Sequence, residues 1–134
     1  MEVLGSRVLL RPSNLAGSRR VYRDTLGLAI YREFGDADDP SVVFFLGGGF
    51  LEVSGEAGEM PTPNVALWLQ VRDVAGEHQR LKALGAEILQ LPCRQPWGLV
   101  EMWLADPDGM PIVLVQVPEE HPLRRDMRSF APAE

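Results

Sequence analysis

WGLVEMWLADPDGMPIVLVQ, residues 97–116, sets two runs of alternating side chains on either side of Asp106-Pro107-Asp108-Gly109. Proline after the first aspartate presets a turn, and the closing glycine supplies the backbone freedom that lets the chain reverse. The flanks GLVEMWL (98–104) and PIVLVQV (111–117) therefore read as antiparallel strands of one hairpin. Strand side chains alternate between faces, so Val100, Met102 and Leu104 share one side, and Leu99, Glu101 and Trp103 the other. A wholly apolar strand face has to be covered, and the segment just upstream supplies the cover. DVAGEHQRLKALG (73–85) reads as a helix with Asp73 as cap, Val74, Leu81 and Leu84 as its apolar stripe, and Gly85 as its stop.

Strands VALWLQV (65–71) and AEILQL (86–91) flank that helix, so residues 65–117 carry the order β-α-β-β-β. The same order occurs earlier in the chain. VLGSRVLLR (3–11) is β-rich, and NLAGSRRVYRDTL (14–26) is helical, with Asn14 as cap, Leu15, Tyr22 and Leu26 near one face, and Gly27 as stop. AIYREF (29–34), SVVFFL (41–46) and FLEVS (50–54) then follow as strands. LGL (26–28) and LGA (84–86) stand at matching helix exits, which points to an internal duplication. A first module over 3–54, a linker over 55–64, a second module over 65–117 and a tail over 118–134 result. The tail places Leu123, Met127 and Phe130 at helix-like spacing.

The totals suit one compact domain over residues 1–134: 46% hydrophobic and 24% charged side chains are enough to bury a core. A net charge of −6 with a single lysine argues against nucleic acid, whose phosphates need clustered basic groups, and favours cationic small molecules. No apolar run reaches membrane-span length, and MEVLGSRVLL lacks the pattern of a secretory leader, so the expectation is a cytoplasmic protein with no membrane partner. Cys93, the only cysteine, has no histidine near it in sequence and reads as a structural thiol.

Every strand divides in the way the hairpin does. Leu67, Leu69 and Val71, with Val65, oppose Ala66, Trp68 and Gln70; Leu51 and Val53 oppose Phe50, Glu52 and Ser54; Val8 and Leu10 oppose Arg7, Leu9 and Arg11. With the apolar rows under the helices, the mixed rows gather two tryptophans, a phenylalanine, two carboxylates, two arginines and an amide. Flat apolar walls with a few polar anchors are the composition of a small-molecule site. The residues expected to bind a ligand are Trp68, Trp103, Trp97, Phe50, Glu101, Gln70, Glu52 and Arg7.

RPSNLAGSRRVYRDTLGL (11–28), VALWLQVRDVAGEHQRLKALGAEI (65–88) and the 97–116 hairpin together resemble the vicinal oxygen chelate superfamily of glyoxalases, extradiol dioxygenases and bleomycin-resistance-type binding proteins. The resemblance spans nearly the whole chain. It implies an α+β fold in which two βαβββ modules form an eight-stranded, partly open barrel around a cavity, often within a dimer. It also implies metal-ligand positions, which here read Arg7, Glu52, Ala66 and Val113. Only Glu52 of these is a metal ligand by type, and a divalent transition ion needs several converging donors. His78 on the second helix reads as a half-buried imidazole, and His121 lies in the tail.

A metal-free binding protein that sequesters a bulky aromatic or cationic natural product is therefore the expected function, with no cofactor, no catalytic residue and a homodimer as its form. The alternative is a metal-independent isomerase or lyase, with Glu101 or Glu52 as base and Arg7 or Arg11 stabilising an oxyanion. A third is a structural or regulatory module that fills its own cavity.

Overall fold

The computed structural model describes residue 2, residues 4–56 and residues 65–122. Most of the linker and the tail from Leu123 onward lie outside the described residues. The elements follow the duplicated order: β1 (Arg7–Leu10), α1 (Leu15–Arg20), β2 (Ile30–Phe34), β3 (Ser41–Leu46) and β4 (Gly49–Val53), then β5 (Leu67–Gln70), α2 (Val74–Ala83), β6 (Glu87–Arg94), β7 (Val100–Ala105) and β8 (Pro111–Gln116). They form two four-stranded sheets, β1-β4-β3-β2 and β5-β8-β7-β6. In each sheet the first strand lies parallel to the last, and the other pairings are antiparallel.

The chain belongs to the α+β class, but within one copy the eight strands do not close into a barrel: the two sheets are separate. The reason lies in the helix-side rows. Leu10, Val42, Phe44, Leu51 and Val53 of the first sheet and Leu67, Met102, Leu104, Ile112 and Leu114 of the second join Leu15, Tyr22, Val74 and Leu81 of the helical segments in one continuous core. The mixed row of each sheet lies on the face away from that core.

Local chemistry sets the helix ends. Asn14 caps α1 by accepting the Gly17 N–H at 3.1 Å. After Arg20 the helix widens into a π-helical turn, Val21–Thr25, closed by Leu26 N–H to the Val21 carbonyl at 2.8 Å. Asp73 holds the extended cap conformation of α2 but makes no side-chain cap bond. The Gln116 side chain on β8 accepts the Val74 N–H instead, at 3.0 Å. Gly85, at φ +78°, ends α2 in a left-handed residue, and Ala86 N–H bonds back to the Leu81 carbonyl at 3.1 Å. Leu84, expected on the buried stripe, is exposed because the helix has already ended there, and Val65 is exposed because β5 begins only at Leu67.

Two polar links tie the modules together. Tyr22, fully buried, donates its hydroxyl to Asp106 at 2.9 Å, and Asp106 also accepts the N–H of Asp108 (2.9 Å) and of Met110 (2.8 Å). Asp108 in turn accepts from the backbone N–H and the hydroxyl of Ser13. The turn that made the hairpin legible is thus also the anchor for the first helix. Arg80 of α2 supplies the second link, donating to the Thr25 and Leu26 carbonyls at 2.8 and 3.2 Å. Those carbonyls end a helical segment and have no partner within it, so a guanidinium stabilises them.

Candidate functional site

The mixed face of the first sheet is built by register. Arg7, Phe50 and Phe45 lie side by side across β1, β4 and β3, and Leu9, Glu52, Val43 and Arg32 form the next row. Tyr31 completes an aromatic cluster, 4.8 Å from Phe50 and 5.2 Å edge-on from Phe45, with Phe45 and Phe50 5.7 Å apart. Such ring contacts hold a flat apolar wall in a fixed shape.

The expected ion pair forms on this face. Arg7 donates to Glu52 Oε1 at 2.8 Å, and its guanidinium carbon stands 6.0 Å from the Phe50 ring centre. Ser54 donates its hydroxyl to Glu52 Oε2 at 2.8 Å. The Ser54 bond first, and then Arg7, hold the Glu52 carboxyl below the usual glutamate range. Both oxygens are engaged, so Glu52 is a poor proton acceptor. Among the described residues no group of three or more His, Cys, Asp or Glu side chains converges. With arginine, alanine and valine at the other positions the resemblance implies, this donor set does not fit a divalent transition ion.

On the second sheet one row runs Trp68, Val113, Trp103, Gln90 and the next Gln70, Val115, Glu101, Cys93. Leu99, Val113, Val115 and Val117 form a small buried cluster against which Trp103 packs. Glu101 is only 7% exposed. It accepts a hydrogen bond from the Trp97 indole N–H at 2.8 Å, and no arginine or lysine among the described residues pairs with it. Trp97 sits in a turn closed by Gly98 N–H to the Gln95 carbonyl and Gln95 N–H to the Leu99 carbonyl, both 2.8 Å. A His121 ring nitrogen lies 2.9 Å from the Trp97 carbonyl. Gly98 is required here: its φ is +91°, and a Cβ would meet the His121 ring at 3.1 Å.

The eight residues expected at the site therefore fall into two groups. Trp68, Gln70, Trp97, Glu101 and Trp103 belong to the second sheet's mixed face, and Arg7, Phe50 and Glu52 to the first's. The two groups lie on separate sheets, and Phe45 beside the first group meets Trp68 and Gln70 of the second at one cavity. Sequence reasoning passed over Tyr31 and Phe45, though the alternation in AIYREF and SVVFFL carries the signal for both. It also left out Asp106 and Asp108, whose role depends on a contact across the modules.

Comparison with solved structures gives the same fold. A superfamily member from Sphaerobacter thermophilus DSM 20745 superposes with TM-score 0.70 at 22% identity, covering 86% of this chain and 98% of its own. TnmS3, described as an antibiotic binding protein from Streptomyces sp. CB03234, gives 0.71 at 20% identity, covering 87% and 98%. TioX from Micromonospora sp. ML1 gives 0.67 at 21%, covering 85% and 100%. At these identities the likeness concerns the fold alone. No curated protein matches the chain in sequence. Residues 6–114 match the sequence model of one family, and with the duplicated βαβββ architecture above, the chain belongs to the Glyoxalase/Bleomycin resistance protein/Dioxygenase superfamily.

Proposed function

We propose that this protein binds and sequesters a bulky aromatic, cationic natural product without a metal, as a cytoplasmic homodimer. The observation that carries the reading is Glu101, a buried carboxylate whose partner among the described residues is an indole N–H rather than a cation, on a face that also presents Trp68 and Trp103. Burying an uncompensated charge is costly, and a ligand cation would supply the missing partner while the indoles stack on its ring system. Glu52 lacks this property, because Arg7 already answers its charge. TnmS3, a structural neighbour described as antibiotic binding, is in keeping with this use of the fold. A general-base role for Glu52 has the hydrogen bonds from Ser54 and Arg7 against it.

Support for the homodimer comes from the outward direction of both mixed faces. Leu9, Tyr31 and Phe45 on the first sheet and Trp68 on the second are all about half exposed, apolar surface that a second copy would cover. In the proposed dimer, the first-module face of one copy covers the second-module face of the other, setting the aromatic cluster and Arg7 opposite Glu101. The lone exposed thiol, Cys93, suits a reducing compartment. No helix among the described residues is long and apolar enough to cross a membrane.

Tryptophan fluorescence titrated with an acridinium dye and with its uncharged analogue tests the reading. The cation should quench to saturation, and Glu101→Gln should weaken it about 30-fold, the equivalent of ~2 kcal/mol, while leaving the neutral analogue unchanged. Equal affinities of wild type and Glu101→Gln for the cation, or no quenching by any planar cation, would overturn it.

A further inference from the structure

A cavity of about 480 Å³ opens at the seam between the two modules, lined by residues of both faces of the second sheet. Leu26, Leu28 and Leu46 of the first module form one wall, and Leu69 and Leu114 of the second form the other. Its size lies within the range of small-molecule sites, about 300–1,000 Å³. Its lining, to which Phe45, Trp68 and Gln70 of the mixed rows contribute, comes from one copy.

The polar groups at its rim select the occupant. Glu77 and Arg80 are paired at 2.7 Å, and Arg80 spends further donors on the Thr25 and Leu26 carbonyls, so neither presents an unanswered charge. Trp68, half exposed, adds an indole to the lining. Gln70 beside it carries a side-chain amide, with a donor and an acceptor on one planar group. Aliphatic walls, an indole and an amide, with the charges neutralised, favour an uncharged ring compound bearing an adjacent N–H and C=O.

We propose that this seam cavity, which adjoins the Glu101 face at Trp68 and Gln70, is a second binding site for a neutral bicyclic lactam or a compound of like chemistry. The amide edge of such a ligand pairs reciprocally with Gln70, and its rings lie between the two leucine walls.

Quinolin-2-one, followed by equilibrium dialysis, is the probe. Two variants address the site without touching the core. Gly48→Leu adds a side chain at a lining position where a Cβ meets nothing within 4 Å and the backbone is not left-handed, and Gln70→Ala removes the orienting amide. Saturable binding of one molecule per chain, weakened tenfold or more by each variant and unchanged in Glu101→Gln, is the expected result. Circular dichroism and melting of both variants should match wild type. Absence of saturable binding at millimolar probe overturns the proposal, whatever the cation does. Binding lost in Glu101→Gln, with Gly48→Leu unaffected, also overturns it, because the probe then occupies the sheet face; the sequestration reading stands in that case.

Discussion

Replacing Tyr22 by phenylalanine removes one oxygen from the link between the modules and leaves the ring, 6.4 Å from Phe44, in place. No cavity opens, so the cost is that of the hydrogen bond. Asp106 is 1% exposed, and its Oδ2 loses the Tyr22 donor while Oδ1 keeps the Asp108 and Met110 N–H groups. Bonds to a buried charged group contribute about 1.5–3 kcal/mol, so a loss of about 2 kcal/mol is expected at neutral pH. With an unfolding entropy of about 2.1 cal/mol/K per residue, 134 residues give ~0.28 kcal/mol/K, and Tm should fall by about 7 °C. The loss should also depend on pH. Burial raises the Asp106 carboxyl above the ordinary aspartate value, against the opposing pull of Met110, Tyr22 and Asp108. A raised folded-state pKa means that protonation favours the fold, with the benefit fully present below the unfolded value and lost as pH rises through the folded one. Taking away the Tyr22 donor raises it further. The penalty should therefore shrink to about 1 kcal/mol, that of a neutral bond, as pH falls toward the aspartate range. Urea unfolding of both proteins at several pH values measures this; a penalty independent of pH, or below about 0.5 kcal/mol at neutral pH, would refute the reasoning.

Gly85→Ala should lower stability by about 1 kcal/mol, seen as a Tm drop of about 3–4 °C, because a left-handed backbone is strained for alanine even though its Cβ meets nothing within 4 Å. Ser54→Ala removes the leading cause of the depressed Glu52 carboxyl. Glu52 then contributes less of the stability that is present above the ordinary glutamate value and lost as pH falls through the folded one. The gap in urea midpoint between Ser54→Ala and wild type should thus be wide at neutral pH and narrow in acid.

The hairpin around Asp106-Pro107-Asp108-Gly109 and the two helix exits at Gly27 and Gly85 were legible because turn chemistry is local. Alternation correctly separated Met102 and Leu104 from Glu101 and Trp103, and it set Arg7 on the same face as Glu52. Strand ends were less legible. β6 runs on through Pro92 to Arg94, because an edge strand tolerates a residue without an N–H. Alternation also fixes that a strand has two faces without saying what each face meets. The helix-side rows of both sheets join one core, and that arrangement divides the expected site residues between two sheets. The Trp97 bond to Glu101 depends on the loop from Gln95 to Leu99, whose path no periodicity encodes.

The strict segregation of rows separates recognition from endurance. Phe45, Phe50 and Trp68 each stand one step along a strand from a residue in the common core, Phe44, Leu51 and Leu67. Truncating the inward neighbour leaves a void costing about 2–5 kcal/mol, whereas truncating the outward one mainly alters what the surface can grip. A randomised library at the outward positions should yield mostly folded proteins with altered tastes, and the same diversity shifted by a single residue should yield mostly collapsed ones.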